Sequence, residues 1–121
     1  MEKSLKTAGL ARFGEEEAGR FLRNQGYRIL ERNFRTAKGE IDIIAGSGKM
    51  IVFAEVKTRS SANFGQPWEA VGFRKRKHLR EAAKIYIEQN GIHEFEFRFD
   101  VLSIVVNETQ QAKIEWIQDA F

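Results

Sequence analysis

The sequence predicts an α/β fold: a mixed central sheet of about five strands with helices packed against it. Three observations carry this reading. Two stretches, residues 8–25 and about 73–90, follow the 3.6-residue period of amphipathic helices. Short β-branched and aromatic runs, bounded by glycine-containing turns, lie between and after them. The strand patterns at 50–58 and 95–106 are separated by the second helix, a connection long enough for a right-handed parallel crossover. Hairpins join the other strands, so the sheet is expected to mix both directions.

In the first helix Ala11, Glu15, Ala18 and Leu22 fall on one stripe with Phe21 adjacent, and Gly26 stands where a left-handed C-terminal cap is expected. A strand follows near 27–35, and TAKG reads as a turn. EIDIIA, residues 40–45, is a short strand. Gly46-Ser47-Gly48-Lys49 closes a hairpin into the longer strand MIVFAEVKT, 50–58. Residues 59–66 read as a loop and Pro67 as a helix or turn start. Gly91 ends the second helix. FEFRFDVLSIVV, 95–106, alternates as a strand. NETQ turns the chain into a last, edge-like strand at 112–118.

There is no internal repeat, low-complexity tract or Pro/Ser-rich linker, so residues 1–121 are read as one domain. The sequence has no cysteine, which excludes disulfides and thiolate metal sites. No apolar run approaches the roughly 18–20 residues needed to cross a bilayer. The expectation is a cytoplasmic protein without a membrane partner. Net charge is +3, but RKRKHLR at 74–80 holds five of the twenty Lys and Arg residues. Such a concentrated basic helix points to nucleic acid more than the net charge does.

Strand side chains alternate faces. Along 50–58, Ile51, Phe53, Glu55 and Lys57 share one face and Val52, Ala54 and Val56 the other. In EIDIIA, Glu40 and Asp42 are expected opposite Ile41 and Ile43. The hairpin then sets Asp42 across from Glu55. Two adjacent carboxylates repel unless a cation lies between them. A hard divalent ion, Mg²⁺ or Mn²⁺, suits one or two carboxylates plus waters and phosphate oxygens. Lys57, roughly 7 Å along the strand from Glu55, would stand beside the metal to stabilise an attacking hydroxide or an anionic phosphate. The bland reading of Glu-x-Lys is a solvated strand face. The apolar run around it argues for burial instead.

Glu15, on the apolar stripe of the first helix, is a candidate further ligand or support for one; its rival role is an N-terminal charge favoured by the helix dipole. Lys75 shares a face with Leu79, Ala82 and Tyr86 and is expected to point at the sheet, toward a phosphate or a site carboxylate. Arg76 and Arg80 are expected to point outward. Arg74, Arg76, Lys77 and Arg80, with Arg59 past the end of the long strand, are candidate phosphate contacts, against the alternative of a solvated basic face. Arg98 and Asp100 share a strand face and read as a structural ion pair. Phe64 and Trp68 are candidates for base stacking, with loop anchoring the stronger alternative. His78 and His93 show no ligand spacing.

GEEEAGRFLRNQGYRIL, GEIDIIA, FAEVKTR, FGQPWEAV and RFDVLSI, in that order, resemble the YraN-type family of uncharacterised bacterial proteins. That family is similar to archaeal Holliday junction resolvases and to PD-(D/E)XK nucleases with the restriction-endonuclease-like α/β/α sandwich. The resemblance covers roughly residues 10–106. It implies Asp42 as first acidic ligand, Glu55 as second, Lys57 as the lysine of Glu-x-Lys, Glu15 as the helix glutamate and Lys75 as the helix lysine. The Pro that the PD-(D/E)XK pattern places before the first acid is replaced by Ile41. Resolvase relatives act as homodimers on branched DNA, so the resemblance implies DNA and a second copy as partners. Two classes follow: a Mg²⁺- or Mn²⁺-dependent DNA endonuclease, and a non-catalytic nucleic-acid-binding module on the same fold. A protein-interaction subunit is a weaker third.

Overall fold

A computed structural model describes residues 7–60 and 72–121. The chain runs α1 (Thr7–Asn24), β1 (Arg28–Arg35), β2 (Glu40–Ser47), β3 (Met50–Ser60), α2 (Phe73–Asn90), β4 (Glu96–Val106) and β5 (Ala112–Ile117). The five strands form one sheet in the order β1-β2-β3-β4-β5. Only β3 and β4 are parallel; the other neighbours are antiparallel. This is the expected α/β sandwich, compatible with the restriction-endonuclease-like architecture.

The apolar residues divide between two cores, one on each face. Ala18 and Leu22 of α1 pack with Ile43, Ala45, Val52, Ala54, Val56, Leu102 and Ile104. Leu79, Ala82, Ala83 and Tyr86 of α2 pack with Ile41, Ile44, Ile51, Phe53 and Val101. The alternation of β3 therefore holds as read: even-numbered residues face α1 and odd-numbered residues face α2. Both faces of β3 and β4 are covered, which is why these strands read as continuous apolar runs.

The caps follow from local chemistry. Gly26 has φ +93° and Gly91 φ +61°, and each ends its helix in a left-handed turn. Tyr27 N–H donates back to the Leu22 carbonyl at 2.9 Å. The β2–β3 hairpin turns on Gly48 and Lys49, with Gly48 at φ +59°. In TAKG, the Thr36 hydroxyl accepts from the N–H groups of Lys38 and Gly39, both at 3.0 Å, and closes the turn. Gly39 abuts α2: a Cβ there would lie 2.7 Å from the His78 carbonyl oxygen.

Several expectations need correction. β3 continues through Arg59 to Ser60, two residues past the expected end, because each residue still pairs with β4 up to Ser60↔Val106. The rest of the 59–66 loop, Pro67, Phe64 and Trp68 lie outside the described residues. Ala11 is exposed, and the buried stripe of α1 runs through Gly14, Ala18 and Leu22. Gly14 allows it: a Cβ at this position would collide with the Thr58 side chain of β3. Finally, Ile41 and Ile43 do not share a face. Ile43 packs toward α1 and Ile41 toward α2. On the neighbouring strand Asn33 adopts φ +52°. A left-handed residue there locally twists the β1–β2 ribbon, and the alternation of β2 changes phase at Asp42.

Candidate functional site

The β2–β3 ladder ends at Ile43↔Ala54. Beyond it, β2 stays paired with β1 as far as Arg35↔Glu40, while β3 stays paired with β4. The two strands thus part at the level of Asp42 and Glu55 and leave a notch at that end of the sheet. Val56 N–H, left without a rung from β2, donates to Asp42 Oδ2 at 2.8 Å. Glu55 is only 4% exposed. It faces the α2 side, where the Lys75 ammonium lies 3.0 Å from Glu55 Oε2. The turn at Gly39 packed on His78 holds the start of β2 against the first turns of α2, so that this contact forms.

Electrostatics register the crowding. Burial pushes the Asp42 carboxyl up to about 7, reinforced by the charge of Glu55, within hydrogen-bonding reach; the Val56 N–H and Lys75 only partly offset this. Burial also raises Glu15, with Asp42 as the next contributor; a hydrogen bond from Asn33 and the charge of Arg32 work against it. Glu15 of α1 is therefore within electrostatic range of Asp42, half-buried, and braced by Asn33. For Lys75, burial lowers the ammonium, but pairing with Glu55 and the fields of Asp42 and Glu40 outweigh burial and leave it raised.

Of the expected site residues, Asp42, Glu55, Glu15 and Lys75 come together. Lys57 lies two residues beyond Glu55 on the same face, half-buried, and makes no ion pair or hydrogen bond among the described residues. Arg74, Lys77 and Arg80 are exposed on α2. Arg80 sits 5.9 Å over the Phe121 ring, turned to the chain's end. Arg76, expected to point outward, is half-buried. It lies three and seven residues before Leu79 and Ala83, on the edge of the buried stripe. Among the described residues, the Nε atoms of Arg59 and Arg76 are both buried without a hydrogen-bond partner.

Asn33 was missed in the sequence. The signal was its type, since asparagine tolerates the left-handed region, inside a strand pattern otherwise unbroken. Arg98 and Asp100 form the expected structural pair, and more. Asp100 is fully buried and accepts from Arg98 Nε and Nη2 at 2.8 Å each, Trp116 Nε1 at 2.8 Å and Asp119 N–H at 2.9 Å. It fastens β5 and the C-terminal turn to β4.

Among the described residues no group of three or more His, Asp or Glu converges to hold a metal ion. The donor set at the notch is two carboxylates. That fits an ion such as Mg²⁺ or Mn²⁺, which keeps several waters and takes one or two protein carboxylates. An ammonium, that of Lys75, is already drawn to one of these carboxylates, Glu55. The chemistry of the site therefore suits a hard cation and offers nothing to a soft one.

The profile of the uncharacterised protein family UPF0102 matches residues 14–104. The chain belongs to this family. A UPF0102 protein of Alkaliphilus metalliredigens is 44% identical over 112 residues, spanning 93% of this chain and 96% of the relative. One from Clostridium botulinum (strain 657 / Type Ba4) is 47% identical over 111 residues, 90% of each chain. One from Caldicellulosiruptor saccharolyticus is 43% identical over 113 residues, 93% of this chain and 96% of the relative. UPF0102 relatives thus match this chain along nearly its whole length. The matched span contains Glu15, Asp42, Glu55, Lys57 and Lys75. No helix among the described residues is long and apolar enough to cross a membrane.

Proposed function

We propose that this UPF0102 protein is a metal-dependent nuclease that hydrolyses phosphodiester bonds in DNA, with branched or recombination and repair intermediates among its candidate substrates. The observation that carries the reading is the notch itself. Asp42 and Glu55 are held together at the parted end of β2 and β3, with Asp42 pushed up to about 7. Folding does not favour such a carboxylate pair for its own sake. Asp42 and Glu55 would hold Mg²⁺ or Mn²⁺. When bound, the ion supplies Lewis-acid stabilisation of phosphate charge and a more acidic water.

The chain's own residues do the remaining work. Lys57, on the Glu55 face and without an ion pair among the described residues, orients the attacking water and offsets the negative charge that builds on the phosphate. Glu15, its carboxyl raised by burial and by Asp42, accepts a proton from a water on the α1 side or returns one to it. Arg59 and Arg76, with buried Nε atoms in want of an acceptor, are suited to phosphate oxygens. Arg74 and Lys77 extend the cationic surface along α2, supplying affinity without reading sequence.

The test is a cleavage panel of four-way junction, flap, duplex and single-stranded DNA with Mg²⁺ or Mn²⁺. The parent is expected to cut at least one substrate, and Asp42→Ala and Lys57→Ala to lose about a hundredfold or more in rate. Variants cutting as fast as the parent would mean contamination. Salt-sensitive DNA binding without cleavage in any metal would leave a binding module on this fold instead.

A further inference from the structure

Of the two partners the sequence offers Lys75, a phosphate or a site carboxylate, the fold gives it the carboxylate: its ammonium is 3.0 Å from Glu55 Oε2. The two partners are unequally placed. The Glu55 side chain is 5% exposed, whereas Lys75 is 48% exposed and reaches in from the first turn of α2 on a flexible four-carbon stem. The carboxylate is enclosed, whereas the side chain that carries the cation opens to solvent.

We propose that Lys75 is a resident cation of the Asp42–Glu55 pair, which an incoming divalent metal ion displaces and which thereby becomes an anion-binding group for the substrate phosphate. This deepens the nuclease reading and rests on its metal site. A divalent ion would bind the same oxygens at about 2.0–2.1 Å. An ammonium hydrogen-bonded to Glu55 Oε2 stands in that approach, and two cations at one carboxylate repel. With a metal in place, its two charges balance Asp42 and Glu55, and Lys75 no longer has an anion to serve. Its solvent end then presents an uncompensated positive charge beside the scissile position. Metal binding and phosphate binding are coupled through one side chain, with the metal first.

The neighbouring charges agree with this order. Glu40, the other carboxylate whose field reaches Lys75, is itself engaged by Arg35 Nε at 3.1 Å, so it offers the displaced ammonium no strong alternative. Arg59 and Arg76 carry unpartnered guanidinium nitrogens. A phosphate drawn to them would meet the released Lys75 as well.

The experiment is Mn²⁺ calorimetry on the full chain without nucleic acid. It compares the parent with Lys75→Met, which keeps the apolar stem, Lys75→Gln as a second neutral variant, and Lys75→Arg, which keeps the charge. The neutral variants are expected to bind Mn²⁺ about threefold to tenfold more tightly than the parent, and Lys75→Arg no more tightly. The gap should narrow at high salt, because Lys75 is half-exposed. A neutral variant that binds Mn²⁺ equally or more weakly overturns the proposal while leaving the metal site standing. No heat in the parent, or heat that survives Glu55→Gln, overturns the metal site and this inference with it. Thermal unfolding with and without Mn²⁺ gives the same comparison for any variant too dilute for calorimetry: a larger Mn²⁺-induced rise in Tm than the parent's supports the exchange, and an equal or smaller one refutes it.

Discussion

Replacing Asp42 by Asn should stabilise the metal-free protein at high pH, even though Asp42 lies at the centre of the candidate site. The carboxyl's ordinary value of 3.8 is pushed up to about 7 in the fold. At about 1.4 kcal/mol per pH unit, holding Asp42 ionised in the native state costs about 4 kcal/mol relative to the unfolded chain. The native state keeps its proton where the unfolded chain has lost it, so the parent loses stability as pH rises from about 4 to about 7. The loss is complete only above that. Asn has no charge to lose and shows no such slope. It still accepts from Val56 N–H, but as a neutral acceptor, at a cost of about 1 kcal/mol. Allowing for solvent at the half-buried carboxyl, the variant should be about 2 kcal/mol more stable at pH 8 and nearly equal to the parent at pH 5. Equilibrium urea unfolding with a chelator present measures both, with unchanged m as the control. An Asp42→Asn protein less stable than the parent at pH 8, or one gaining as much at pH 5, would refute the reasoning.

Three further outcomes are expected. Mn²⁺ must expel the Asp42 proton, so its affinity should rise roughly tenfold from pH 6 to pH 8 and level off above, read by calorimetry in matched buffers; a flat profile contradicts this. Asp100→Asn strands the Arg98 guanidinium in a nearly closed site and should cost about 3–5 kcal/mol in urea unfolding, while leaving Mn²⁺ affinity unchanged at a temperature where the variant is folded. Gly14→Ala gains helix propensity but drives a methyl into Thr58; a net loss of about 1–2 kcal/mol is expected, and the Gly14→Ala/Thr58→Ala double variant should recover most of it.

Much of the molecule was legible residue by residue. The two-residue period of β3, set by backbone sterics, already put Glu55 and Lys57 on one face and Val52, Ala54 and Val56 on the other. The left-handed caps at Gly26 and Gly91 and the hairpin at Gly48 are local events, decided by side chains within a few residues. The α/β sandwich and the approximate facing of Asp42 and Glu55 followed from these. Tertiary structure alone decided that β2 parts from β3 on the Asp42 side of Ile43, that the alternation of β2 changes phase at Asp42 opposite a left-handed Asn33, and that Lys75, expected to point at the sheet toward a phosphate or a site carboxylate, closes on Glu55. A strand separates where competing partners on either side of it win, and a long lysine stem settles wherever the nearest buried anion lies. Both depend on residues brought close only when the sheet and its two helices have assembled.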